Sequence, residues 1–195
     1  MPAEHHRWWP QGCNWYRLQL PAAYLRGCGR HDVIFGSDLR RIKATGELQV
    51  IDFDGKLWDG IEILVFQRWM TMEAFEWLAG ARAAGQKIVN DVFSALTPAN
   101  AAWFDVSETL NADANRDIYA EILAGSDLLI ASTPYLAREL TRSKPIRRAK
   151  TPIKVIRNAI DLGRWSPREL TESSEPTIGW VGQTSYRNRD LEPFS

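Results

Sequence analysis

A chain of 195 residues can bury a sizeable core, and 45% hydrophobic against 25% charged residues is the balance of an ordinary globular protein. Lys plus Arg and Asp plus Glu both count 24, which argues against a basic nucleic-acid binder and against an acidic tail. Cys13 and Cys28 lack CxxC or paired-His spacing, the amino terminus lacks the apolar stretch of a signal peptide, and no apolar run nears the roughly 20 residues that span a bilayer. The expectation is a cytoplasmic protein without a disulfide framework or a zinc site.

The elements follow in chain order. A helix is expected over residues 15–26, started or interrupted near Pro21 and preceded by a turn at Gly12. Short strands are expected over 33–35 and 48–53. Apolar, β-branched runs then predict strands over 61–66, 87–91, 127–131, 153–156 and 177–181. The spacing over 72–84 predicts a helix with Phe75, Leu78 and Ala79 on one face, stopping at Gly85 as its C′ glycine. A second helix over 114–124 carries Ile118 and Ile122 four apart and stops at Gly125. Thr133 before Pro134 reads as an N-cap followed by proline at the first helical position, with Leu136, Ala137 and Leu140 inward.

Strand and helix alternate, so the expected fold class is α/β, a Rossmann-like parallel sheet with helices on both faces. Residues 166–176 are polar and bounded by prolines, the composition of a linker. The expected organisation is an amino-terminal domain over 1–165, a linker over 166–176, and the first strand and loop of a truncated second domain over 177–195. Nine tryptophans are many for this length. Tryptophan stacks on sugar rings, but its apolar area makes packing the default role.

Four motifs in order carry a resemblance. Val155-Ile-Arg-Asn-Ala-Ile-Asp161 with Trp165-Ser-Pro167 resembles the segment joining the two domains of group 1 (GT-B fold) glycosyltransferases. Gly125-Ser-Asp-Leu-Leu-Ile-Ala-Ser-Thr-Pro134 is similar to the strand and helix start that precede it there. Ile178-Gly-Trp-Val-Gly-Gln-Thr-Ser185, with Asp190 and Leu191, resembles the first strand and loop of the donor domain. Gly12-Cys-Asn-Trp-Tyr-Arg17 and Val65-Phe-Gln-Arg68 resemble a branch found in phage and bacterial surface-polysaccharide genes. The resemblance implies transfer of a sugar from a nucleotide-sugar donor to a carbohydrate, lipid-linked or protein acceptor. It implies no cofactor and no bound metal. It places the acceptor on this half and the donor mainly on the other, which a separate chain would supply if this one is half of an enzyme.

The candidate site residues divide accordingly. Gly12, Asn14, Arg17 and Arg68 are the candidate substrate-binding residues, the arginines as bidentate partners for a diphosphate or an acidic acceptor. Each has a plainer reading, a tight turn for Gly12 and solvated cations for the arginines. Asp91 is the candidate catalytic residue, as a base or to orient an acceptor hydroxyl. Gly182, Thr184 and Ser185 follow a strand and are the candidate donor-phosphate cradle. Asn158 and Asp161 read as structural residues of the hinge turn. Arg138 to Arg157 is a basic run, read as a solvated face before an anionic-ligand site.

Two alternatives stand beside the transferase reading. One is a non-catalytic remnant or binding module that keeps the fold without the donor half. The other is a metal-dependent GT-A type transferase using Asp52 and Asp54, whose DxD pattern equally describes an acidic turn before Gly55.

Overall fold

The computed structural model describes residues 15–67, 72–92, 113–160 and 162–163, with only the backbone for 113–116. Expectations for 1–14, 68–71, 93–112, 161 and 164–195 lie outside the described residues. They include Gly12, Asn14, Arg68, Asp161, Gly182, Thr184, Ser185, the linker and the strand over 177–181.

The chain enters through a five-residue π-helical stretch, Trp15–Gln19, which runs into helix α1, Leu20–Gly27. Pro21 sits in the first turn of α1, at the junction with the π-helical stretch. Next comes a three-stranded antiparallel sheet of β1 (Gly36–Arg41), β2 (Leu48–Asp52) and β3 (Leu57–Trp58), with β2 in the middle. The expected strand over 33–35 is irregular backbone, and pairing starts at Gly36. Strand β1 escaped the sequence reading because Gly-Ser-Asp-Leu-Arg-Arg is almost all polar and exposed, as an edge strand can be.

The second sheet is parallel and strictly sequential, in the order β4 (Ile63–Gln67), β5 (Lys87–Val92), β6 (Leu128–Ala131) and β7 (Ile153–Val155). Among the described residues four crossover helices accompany it: α2 (Met72–Ala83), α3 (Asp113–Ala124), α4 (Pro134–Arg142) and α5 (Lys144–Ala149). A sheet that always steps the same way through right-handed crossovers must carry those helices on one face. The packing agrees. The buried sheet residues Leu64, Ile88, Val92, Leu129 and Ala131 all share that face by register. They meet Ala74, Leu78 and Ala81 of α2, Ile122 and Leu123 of α3, Leu136 and Leu140 of α4, and Ile146 of α5. The expectation of helices on both faces is thus met on one face by these four. On the opposite face the described contact is made by the π-helical stretch, through Arg17.

The face of α2 differs from the expected one. Ala74, Leu78 and Ala81 are buried, whereas Phe75 is 39% exposed and Ala79 is exposed. Size explains it. The turn before β2 comes so close that a Cβ on Gly80 would lie 3.3 Å from the Gly46 carbonyl oxygen. Two of the three inward residues are alanines, which carry little periodic signal. The helix ends follow local rules. Gly85 has φ +94°, as a C′ glycine should, and the Thr133 hydroxyl accepts the Leu136 N–H at 3.1 Å, an N-cap. Among the described residues no helix is long and apolar enough to cross a membrane.

A buried side chain binds the two sheets together. Gln86 accepts the Leu48 N–H at 2.7 Å and donates to the carbonyls of Leu48 and Ile61 at 2.9 and 2.8 Å. It thereby satisfies strand-end backbone groups that have no ladder partner.

Candidate functional site at the carboxyl edge

In an open parallel sheet the carboxyl ends of the strands leave a crevice where ligands bind. Four chain segments meet there. Gln67 is the last residue of β4, Asp91 lies beside it by register near the end of β5, and Ile156 and Asn158 follow β7. Arg17 reaches them from the π-helical stretch, an unusual winding that recurs at functional sites because it re-aims a side chain.

Arg17 is the hub. Its Nε donates to both carboxylate oxygens of Asp91 at 3.0 and 3.1 Å, and its Nη2 donates to Asp91 Oδ1. The other nitrogen, Nη1, donates to the Ile156 carbonyl and to Asn158 Oδ1, the latter at 3.2 Å. Gln67 Nε2 donates to Asp91 Oδ2 at 2.7 Å. The paired side chains are almost sealed, at 3% exposure for Arg17 and 2% for Asp91. Burying two charges is tolerable because the pair is close and nearly every donor and lone pair is occupied. Asn158, by contrast, is exposed, so the cluster opens to solvent at the segment after β7.

Arg17 and Asp91, named for separate roles, are direct partners 74 residues apart. Both oxygens of the Asp91 carboxylate accept hydrogen bonds, from Arg17 and from Gln67. Asn158, read as a turn residue, also belongs to the cluster. Gln67 was missed although it lies inside Val65-Phe-Gln-Arg68, because a lone glutamine has no spacing signal; its position at a strand's carboxyl end was the available clue.

Asp52 and Asp54 form a turn. Asp52 Oδ1 accepts the N–H groups of Asp54 and Lys56, both at 2.9 Å, and Oδ2 accepts the Trp58 indole N–H at 2.7 Å. The Trp58 bond, ahead of opposing desolvation and with the backbone donors assisting, holds the Asp52 carboxyl below its ordinary range. Gly55 completes the hairpin at φ +80°. No group of three or more metal-ligating side chains occurs among the described residues. In the basic run, Arg142 pairs with Glu139 and Arg148 with Glu121, both on exposed helix surfaces.

No family model, curated protein or solved structure matches the chain.

Proposed function

We infer that the chain is the Rossmann-like, acceptor-side half of a GT-B type glycosyltransferase, working in the cytoplasm on a nucleotide sugar and a carbohydrate, lipid-linked or protein acceptor. One observation carries this reading. Three motifs that resemble the family as separate strings, ending in Arg17, containing Gln67 and containing Asn158, are joined by hydrogen bonds at the carboxyl edge, Gln67 to Arg17 through Asp91 and Asn158 to Arg17 directly. Chance resemblances scattered along a chain have no reason to converge there. On this reading Asn158 and the segment after it face the donor half, and Arg17 supplies positive charge behind the cleft where a diphosphate would leave. On the same reading the motifs containing Gly12, Asn14 and Arg68 would serve acceptor binding.

A calorimetric titration of the full chain with a panel of nucleotide sugars and glycan acceptors tests it. The reading expects heat with at least one of them, weakened several-fold by Asn158→Ala, an exposed change that leaves the buried pair intact. Silence across the panel would favour the second reading, a non-catalytic module that kept the fold. That alternative also has an observation behind it: the Asp91 carboxylate is already engaged on both oxygens, as a purely structural clasp would be.

A further inference from the structure

The parallel sheet has one covered face and one that the described elements leave largely open. By register, Ile63 and Val65 of β4, Val89 of β5, and Leu128 and Ile130 of β6 share the face opposite the helices. Ile63 is 57% exposed, Val65 is 48% exposed, and the other three are half-buried. Their neighbours on the helix side, Leu64, Ile88 and Leu129, are sealed. Five adjoining apolar side chains on a parallel sheet require a second layer, because such sheets are covered on both faces.

The topology narrows what that layer can be. Connections between successive strands follow the right-handed crossovers and stay on the helix face. The cover therefore comes from an end of the chain or from another molecule. The two ends leave the described structure differently. After β7, residues 157–160 and 162–163 are all exposed. Before Arg17 the chain is still against the protein: Trp15 and Tyr16 are half-buried, and Asp91 holds Arg17 over the open face. Residues 1–14 continue from that point and carry Trp8 and Trp9 side by side. Trp9 lies six residues before Trp15, a reach of up to about 20 Å when extended. The open face runs only about 13 Å from the row of Gln67 and Asp91 down to Ile63. An indole covers roughly 200 Å², so two of them suit a patch of five aliphatic side chains.

We propose that the segment before Trp15 packs on this face, with the Trp8 and Trp9 indoles against its central row, Val65, Val89 and Leu128. The amino-terminal segment is then the second layer of the sheet. This goes beyond the proposed function and holds whether or not the carboxyl edge binds a nucleotide sugar.

The test is nuclear Overhauser spectroscopy on the full chain with labelled Ile, Leu and Val methyls. The Trp8 and Trp9 indole signals are identified by their loss in Trp8→Phe and Trp9→Phe. The expected result is contact between at least one of these indoles and the methyls of Val65, Val89 or Leu128. The double variant Trp8→Ala/Trp9→Ala, checked as folded by circular dichroism, should also bind about twofold or more of a hydrophobic dye, because the face is uncovered. Contacts from those methyls only to tryptophans elsewhere in the chain, or to no indole, overturn the proposal. So do contacts seen only between differently labelled molecules in a mixed sample, which would put a second copy on the face. Unchanged dye binding by the folded double variant overturns it as well.

Discussion

The two edges of the parallel sheet use polar side chains in opposite ways. At the amino edge they complete the backbone. Gln86 bonds Leu48 and Ile61, and Asp127 accepts the Ile88 N–H at 2.9 Å with Arg82 and Lys87 alongside. At the carboxyl edge they mostly bond one another, and segments as distant as Arg17 and Asn158 are joined. An amino edge of this kind stabilises the fold and has little left to offer a ligand. A carboxyl edge of charges held by charges can be re-aimed when a ligand competes for a donor.

The sharpest way to break the contrast is Asp91→Ala. It strands the Arg17 guanidinium in a sealed site, so denaturant unfolding should show a loss of about 3–5 kcal/mol. Replacing both partners, Arg17→Met with Asp91→Leu, should lose much less, because no uncompensated charge remains. At the amino edge the largest effect should come from Gln86→Leu, about 2–3 kcal/mol. That change leaves the Leu48 N–H and carbonyl buried without a partner. Gln67→Ala removes one bond to a charged acceptor and should cost about 1–2 kcal/mol.

The smallest effect belongs to Asp127→Asn, below about 1 kcal/mol at neutral pH because the cations beside it are exposed. Desolvation raises the Asp127 pKa, but the Ile88 N–H, Arg82 and Lys87 together outweigh it and hold the carboxyl below its ordinary value. A depressed carboxylate adds stability above its unfolded value, near pH 4, and loses it as pH falls through the folded value. The difference between wild type and Asp127→Asn, followed by thermal melts, should therefore shrink below about pH 4. A gap that widened in acid would contradict the sign.

The same contrast explains what could be read from the sequence. Backbone-level features were legible: the alternation of β4 to β7 with helices, the cap at Thr133 and the stop at Gly85 each rest on local chemistry within a few residues. The face of α2 was misread because the alanines at 74 and 81 carry less apolar signal than Phe75, and the close approach of Gly46 to Gly80, 34 positions on, leaves no periodicity in the chain. The carboxyl-edge residues were found one by one, through motif resemblance, while their pairing was not. A hydrogen bond across 74 residues leaves no periodicity in the chain. Gln67 escaped for the same reason, and β1 because its exposed edge has no apolar alternation.

On the proposed function, ligands meet this chain at the carboxyl edge. Backbone amide shifts of the isotope-labelled protein, titrated with nucleotide sugars and glycan acceptors, test it most directly. The amide signals of Gln67, Asp91 and Asn158 should move with the ligand while those of Gln86 and Asp127 stay fixed. Shifts confined to the amino edge, or none at the carboxyl edge with any of these ligands, would contradict it.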